Sequence, residues 1–322
     1  MKAVRIHETG GSDVLKYEDI PTPAPGDGEI LLKLDAAGIN YIDTYQRSGM
    51  YPMPLPFTLG NEGAGVVESV GSGVNGFAPG DKVGYSNIIG SYAEFAVVPA
   101  ARAVKLPAEI DTKQAAAIFL QGMTAHYLAH DTYPLKKGDV CLVHSGAGGV
   151  GLLLIQMAKA AGATVITTVS TDKKAELAKG AGADHVIFYT KQDFVEETKK
   201  FAGGNKVDVV YDAVGVDTFE KGLDVLRPRG LMALYGASSG PVPPFNLAML
   251  AGKGSLYVTR PSLGNFVASR KELEDRVGDV MKWVASGKLK VRIGVEFPLA
   301  EAKAAHDALE GRKTTGKVLL IP

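Results

Sequence analysis

Cysteine is almost absent: the 322-residue chain has one, Cys141. A single thiol rules out an intrachain disulfide and any metal site built from several cysteines. Cys141 lies inside an apolar run and reads as core filler. Net charge is missing too, since Lys plus Arg and Asp plus Glu both count 35. That balance argues against a protein that binds nucleic acid by neutralising phosphates. No apolar run reaches the ~20 residues of a membrane span, and Met1-Lys2-Ala3-Val4-Arg5-Ile6-His7 lacks a signal-peptide core. The expectation is a cytoplasmic protein with no membrane and no nucleic-acid partner. Histidine offers one helical pair, His126 and His130 at i,i+4, with no third ligand nearby in sequence, so a structural role is the better reading.

Glycine, by contrast, is plentiful. With 39 of them, a chance match to a glycine motif is easy, and context must decide its worth. Val140–Ser145 is an apolar run that ends in Gly146-Ala147-Gly148-Gly149-Val150-Gly151 and leads into a segment of helical composition. Gly146, Gly148 and Gly151 fit G-x-G-x-x-G. In a dinucleotide-binding turn the first glycine permits the bend, the second lets backbone approach the pyrophosphate, and the third lets helix pack on strand. The helix N-terminus then offers unpaired N–H groups to the phosphates.

The surroundings supply the context. Residues 1–122 read as β-rich, with short strands at Ala3–Ile6, Leu15–Ile20, Glu29–Ala37, Gly63–Val70, Lys82–Tyr85 and Tyr92–Pro99 set between Gly/Pro clusters. Residues 123–262 alternate strand and helix, with six strands beginning at Val140, Thr164, His185, Val207, Leu231 and Ser255. That rhythm predicts a doubly wound parallel sheet, and the glycine cluster follows its first strand. The tail, 263–322, breaks the alternation. It reads as an amphipathic helix at Ser269–Ser286, a strand at Lys290–Phe297, a helix at Ala300–Glu310 and a strand at Gly316–Ile321. It is expected to complete the first domain, leaving the cleft between the two domains as the site.

The cofactor can be read at the end of the second strand, where NAD sites place Asp or Glu. Here stand Thr168-Val169-Ser170-Thr171, with Asp172 expected to cap the next helix. A hydroxyl at Ser170 followed by Lys173 and Lys174 suits a 2′-phosphate. Lys174 is a candidate contact, with a solvated helix lysine as the alternative; Tyr189 is a candidate at the same phosphate, with a core or rim aromatic as the alternative.

Gly38-Ile39-Asn40-Tyr41-Ile42-Asp43, Gly60-Asn61-Glu62-Gly63-Ala64-Gly65, Gly80-Asp81-Lys82-Val83, the glycine cluster and Gly254-Ser255-Leu256-Tyr257-Val258-Thr259-Arg260-Pro261 occur in family order. Over its whole length the chain resembles the medium-chain dehydrogenase/reductase superfamily, and within it the zeta-crystallin-like, zinc-independent NADPH:quinone oxidoreductases. The resemblance implies a GroES-like β-rich catalytic domain, a Rossmann domain and NADPH as cofactor. Zinc-dependent members carry Cys, His and Cys where Asn40, Asn61 and Gln121 stand, so it also implies that no metal is used.

Residue by residue, the resemblance places Asn40, Tyr45 and Tyr51 at the nicotinamide and quinone, and Thr124 against the cofactor. Gly146, Gly148, Gly149 and Val150 would cradle the pyrophosphate, and Ser170, Lys174 and Tyr189 the 2′-phosphate ribose. Tyr235, Gly236 and Ser238 would flank a ribose, and Arg312 would reach a phosphate. Two departures stand out: Ser145-Gly146 where alanines are common, and Ala237 where an asparagine contact occurs in the family.

Hydride transfer to a quinone asks mainly for positioning and desolvation. Tyr45 and Tyr51 either orient the carbonyl or wall the pocket, on a segment, Tyr41–Pro56, read as a loop. Asp43 and Glu62 are expected to form ion pairs with an arginine rather than a polar network. The alternatives are an NADPH-dependent enone or alkenal reductase, which needs an acid at the neighbouring carbon, and an NADPH binder with little turnover. Leu256-Tyr257-Val258 reads as the sheet's edge, and pairing across Ser255–Thr259 would give a homodimer.

Overall fold

The computed structural model describes residues 1–204 and 206–322. Short Val-, Ile- and Leu-rich runs become strands β1 (Lys2–Ile6), β2 (Lys16–Asp19) and β3 (Glu29–Ile39), followed by helix α1 (Tyr41–Arg47). Next come β4 (Phe57–Thr58), β5 (Glu62–Val70), β6 (Lys82–Ser86), β7 (Phe95–Pro99), β8 (Val104–Lys105) and α2 (Thr112–Tyr127). The alternating stretch gives β9 (Val140–Val143), α3 (Gly149–Ala160), β10 (Thr164–Val169), α4 (Asp172–Gly180), β11 (His185–Phe188) and α5 (Phe194–Phe201). It continues with β12 (Val207–Asp212), α6 (Phe219–Asp224), β13 (Leu226–Leu234), α7 (Ala248–Gly252), β14 (Tyr257–Thr259) and α8 (Leu263–Phe266). The tail holds α9 (Arg270–Ala285), β15 (Ile293–Pro298), α10 (Ala302–Glu310) and β16 (Lys317–Ile321). These elements fall into two units, Met1–Met123 with Val267–Pro322, and Thr124–Phe266.

In the first unit β3 is the axis of a seven-stranded sheet: β15-β16-β3-β5-β6-β8 in order, with β7 also on β3. The C-terminal strand β16 lies antiparallel to β3, with Val318 opposite Ile39 and Leu320 opposite Ala37. Buried apolar residues of this unit form two clusters, one containing Ile30, Leu32, Val67, Val83 and Val98 and the other Val4, Ile39, Leu299, Val318 and Leu320. Helix α9 begins with a capping box, Ser269 and Glu272 each bonded to the other's backbone N–H. It buries Leu273, Val277, Val280 and Met281, the face its helical spacing predicts.

Two local readings are corrected. Tyr41–Pro56 is not all loop, because its first seven residues are helix α1, started by the Asp43 carboxylate accepting from the Asn40 N–H at 2.8 Å. The later Gly49, Pro52, Pro54 and Pro56 end that helix rather than prevent it. A long helix, α2, also rises from the stretch read as β-rich, with Ala115, Ala116, Ala117, Ile118 and Phe119 all buried.

The second unit is a six-stranded sheet in the order β11-β10-β9-β12-β13-β14. Every neighbouring pair is parallel. This is the doubly wound arrangement, with β9 and β12 on either side of the point where strand order reverses. Leu142, Ile166, Ile187, Val210 and Met232 form its core with Phe194, Phe219 and Leu223 from the helices. Cys141 is fully buried in β9, and burial pushes its thiol far above the ordinary range.

Candidate active site

The glycine turn opens at the C-terminal end of β9. Ser145 adopts a left-handed φ of 59°, which folds the chain back, and Gly148 is the N-cap of α3. Two glycines are there for space: a Cβ at Gly146 would lie 2.0 Å from Thr167 Oγ1, and one at Gly151 would lie 2.4 Å from the Ser145 carbonyl oxygen. Gly148 is different, since its Cβ would meet only that carbonyl, at 3.2 Å. Its openness therefore serves something outside the turn. No side chain caps α3 and no acidic residue occupies its first turn, so the amides of Gly149 and Val150 face outward at the positive end of the helix. These residues fit a dinucleotide's pyrophosphate.

Ser170 and Tyr189 are brought together because β10 and β11 run side by side to Val169 opposite Phe188. Ser170 is half-buried and Tyr189 is exposed at the same sheet edge. The N-cap of α4 is Thr171, whose side chain accepts from the Lys174 N–H at 3.4 Å. Asp172 is thus a first-turn residue and not the cap expected of it. Lys174 is half-buried one turn into α4. No carboxylate stands at the end of β10, so the site suits a 2′-phosphate.

Past β13, Tyr235 and Gly236 both donate backbone N–H groups to the Asp212 carbonyl, at 2.8 and 3.2 Å, and Ser238 N–H donates to the Ala213 carbonyl at 3.1 Å. The buried Asp212 carboxylate accepts from the Val214 and Gly215 N–H groups at 2.7 and 3.2 Å and from the Thr218 hydroxyl. It fixes the loop that seats Tyr235, Gly236 and Ser238, a role that sequence reading missed. Ala237, in place of an asparagine, is buried. Arg312 is exposed in the turn after α10, with a left-handed φ of 56°.

In the first unit, Asn40, Asn61 and Gln121 sit in a buried polar cluster. The Asn40 amide donates to the Gly38 carbonyl at 3.0 Å and Glu62 Oε2 at 2.9 Å, and it accepts from Lys317 Nζ at 2.9 Å and Gln121 Nε2 at 3.3 Å. All its hydrogen-bonding capacity is spent. Lys317 Nζ lies 2.5 Å from Glu62 Oε2, and both side chains are essentially unexposed. Burial pulls the lysine's pKa down, opposed by the attraction of Glu62. The other Glu62 oxygen accepts from the Leu120 N–H at 2.6 Å. Gly38 makes room for the pair, since a Cβ there would lie 2.5 Å from Glu62 Oε2 and 2.6 Å from Lys317 Cε. Glu62 is thus paired with a lysine, not the arginine expected.

Asp43 carries no arginine pair either, and it does sit in a polar network. Its Oδ1 accepts from Asn61 Nδ2 at 2.7 Å and its Oδ2 from the Tyr92 hydroxyl at 2.9 Å. Asn61 also donates to Gln46 Oε1 at 2.7 Å. Burial pushes the Asp43 carboxyl up to about 6 despite these donors. Tyr92 in turn meets His306 Nε2 at 3.1 Å, and His306 Nδ1 meets Arg47 Nη1 at 3.0 Å. Arginine can only donate, so Nδ1 accepts and the imidazole proton is on Nε2, aimed at the tyrosine oxygen. Burial and the neighbouring Arg47 push His306 down to about 3. Arg47 closes the chain with a two-pronged bond to Glu310, both contacts at 2.8 Å. Sequence reading missed Arg47, Tyr92, His306 and Lys317.

These residues do not fit zinc. Thiolate and imidazole are replaced by amides at all three positions, and the Asn40 and Asn61 amides are committed to neighbours. Among the described residues no group of three or more His, Cys, Asp or Glu is placed to hold a metal ion. His126 and His130 have ring centroids 4.6 Å apart.

Tyr45 and Tyr51 pack on each other, their ring centroids 5.4 Å apart and edge to face. Tyr45 is buried on α1, whereas Tyr51 is 39% exposed. Thr124 is buried on α2.

A family model of the alcohol dehydrogenase GroES-like domain matches residues 26–108, and one described as zinc-binding dehydrogenase matches residues 149–283. The chain is 47% identical over 323 residues to Quinone oxidoreductase 1 of Escherichia coli, covering 99% of each. It is 41% identical over 329 residues to a 2-haloacrylate reductase of Burkholderia, covering 99% of this chain and 98% of that one. The crystal structure of Escherichia coli quinone oxidoreductase complexed with NADPH matches with a TM-score of 0.98 and 47% identity over 100% of both chains. Identity of this order, spread over the whole length, settles the family: the chain belongs to the quinone oxidoreductases of the medium-chain dehydrogenase/reductase superfamily.

Proposed function

We propose that this chain is an NADPH-dependent quinone reductase that works without a metal. The observation that carries the reading is the full-length similarity to quinone oxidoreductases, one of them solved with NADPH; the Asn40 and Asn61 amides, held by Lys317, Glu62, Asp43 and Gln46, agree with a site that holds no zinc. A hydride acceptor that is intrinsically electron-poor, as a quinone is, needs no Lewis acid. When bound, NADPH supplies a hydride from C4 of its nicotinamide.

The chain's own residues then have three tasks. Gly146, Gly148, Gly149 and Val150 hold the pyrophosphate with backbone amides. Ser170, Lys174 and Tyr189 hold the 2′-phosphate, with Thr124, Tyr235, Gly236, Ser238 and Arg312 as further cofactor contacts. Asn40, Tyr45 and Tyr51 shape the substrate end, and the hydroquinone anion takes its proton from water that reaches it there or as it leaves. Residues 1–122 with 263–322 make the catalytic domain and 123–262 the NADPH domain. The experiment is direct: Ser170→Asp should lower the NADPH over NADH preference in kcat/KM by at least tenfold, and an unchanged preference would remove this residue from the 2′-phosphate site.

Similarity to a 2-haloacrylate reductase favours a second reading, reduction of a conjugated double bond. That chemistry needs a proton at the neighbouring carbon. Tyr45→Phe and Tyr51→Phe separate the two: loss of alkenal turnover with quinone turnover kept marks a tyrosine acid, and equal retention of both excludes it.

The protein is proposed to act in the cytoplasm as a homodimer. No helix among the described residues is long and apolar enough to cross a membrane. Strand β14 ends the sheet and leaves Tyr257 60% exposed, an edge that pairing across Ser255–Thr259 would cover. A monomer by light scattering at micromolar concentration would contradict it.

A further inference from the structure

His144 follows β9 directly, just ahead of the glycine turn, and is 1% exposed. A buried imidazole costs more than an apolar side chain of its size unless its nitrogens are matched. Here one of them is: Nδ1 lies 3.0 Å from Thr168 Oγ1. Nε2 is closed off without a hydrogen-bond partner among the described residues, and the Phe194 ring stands perpendicular to the imidazole, centroids 4.9 Å apart. Burial lowers the pKa of the ring against the pull of Asp212, so the imidazole is neutral. Its hydrogen-bonding is therefore directed at Thr168.

Thr168 is where the turn is tied to β10. The Ser145 N–H donates to its hydroxyl at 3.4 Å and the Gly146 N–H to its carbonyl at 3.1 Å. One residue earlier, Thr167 Oγ1 donates to the Val143 carbonyl at 2.6 Å. Two residues later comes Ser170. A threonine hydroxyl has one proton and two lone pairs. With a lone pair turned to the Ser145 N–H, the hydroxyl proton goes to Nδ1 and the imidazole proton sits on Nε2, the pattern that leaves the fewest groups unmatched. The imidazole thus holds the threonine in the rotamer that meets Ser145.

We propose that His144 is a positioning residue for the cofactor: through Thr168 it fixes the glycine turn, which holds the pyrophosphate, against the end of β10, which holds the 2′-phosphate. It touches neither phosphate. The inference rests on the reading of Ser170 and Lys174 as the 2′-phosphate site. The relative placement of the two subsites matters to NADPH, which fills both, and little to NADH, which lacks the phosphate.

His144→Leu keeps a similar volume and deletes the bond. It is expected to weaken NADPH binding about three- to tenfold in a fluorescence titration, as for one buried hydrogen bond, with NADH held within about twofold. Melting temperature should hold or rise, because an apolar group replaces one with an unmatched nitrogen. Thr168→Val should match the loss of NADPH affinity, and the two changes together should add nothing. His144→Asn, whose amide reaches the Nδ1 position, should restore NADPH affinity to within about twofold of wild type; His144→Gln, whose amide reaches the Nε2 position, should not. Unchanged NADPH affinity in His144→Leu, or equal losses for NADPH and NADH with lowered melting, would overturn the assignment. A wild-type protein that binds NADH as tightly as NADPH overturns instead the 2′-phosphate reading on which it rests.

Discussion

Removing Lys317 should cost far more than removing an ordinary C-terminal lysine. The side chain is 1% exposed and its partner Glu62 0%. Lys317→Met keeps the aliphatic stem and deletes the charge, leaving the Glu62 carboxylate buried with only the Leu120 N–H and Asn40 amide as donors. Breaking a buried pair from one side typically costs about 3–5 kcal/mol. At ~2–4 °C per kcal/mol for a unit of this size, melting should fall by roughly 6–20 °C. Adding Glu62→Gln removes the stranded charge, and Asn40 Oδ1, freed from Lys317, can accept from the new amide. The double variant should therefore regain at least ~2 kcal/mol of what the single one loses. Thermal melts of the four proteins of the cycle decide it. A loss below ~1 kcal/mol for Lys317→Met, or no recovery in the double variant, would refute the claim that a buried ion pair supports the amide cluster.

Further expectations concern the turn and the proton balance. Gly146→Ala should destabilise the second unit and lower NADPH affinity together, because its Cβ would strike Thr167 Oγ1 at 2.0 Å, whereas Gly148→Ala, with only a 3.2 Å contact, should weaken NADPH binding with little change in melting. Isothermal titration beside melting curves separates the two effects, and equal destabilisation by both would refute the division of roles. Asp43 and His306 pull stability in opposite directions with pH. The Asp43 carboxyl is raised to about 6, above its unfolded value, so its contribution is present at low pH and lost as pH rises through about 6. The His306 imidazole is lowered to about 3, so its contribution is present above its unfolded value of ~6.5 and lost as pH falls toward about 3. Between pH ~4 and ~6 the two offset each other. His306→Gln should make melting temperature rise on acidification from pH 7 to 4.5, and Asp43→Asn should steepen its fall. Two variants that both follow the wild-type profile would contradict these assignments.

What the sequence shows depends on how local the determinants are. The strand, glycine turn and helix from Val140 to Ala160 are one contiguous run, so the parallel sheet and the dinucleotide turn can be read directly. The absence of a carboxylate at Ser170 is equally local. The relay Glu310–Arg47–His306–Tyr92–Asp43 is invisible because its members come from distant parts of the chain, and each alone resembles an ordinary surface or helix residue. Lys317 follows a glycine near the C-terminus and looks solvated; only the antiparallel pairing of β16 with β3 sinks it beside Glu62. Helix α1 was hidden by the prolines after it, and its start depends on one carboxylate, Asp43, returning to the Asn40 N–H. The amides at 40, 61 and 121 could be named from the sequence, but which neighbours spend their donors and acceptors required the hydrogen bonds.

The measurement that bears most directly on the account is the oxidation of NADPH and NADH, each against ortho-quinones, para-quinones and alkenals, with and without a metal chelator. The account predicts NADPH well above NADH, quinones above alkenals and rates indifferent to the chelator. Preference for NADH would contradict the reading of Ser170 and Lys174, and loss of activity with the chelator would contradict an amide cluster that does its work without a metal.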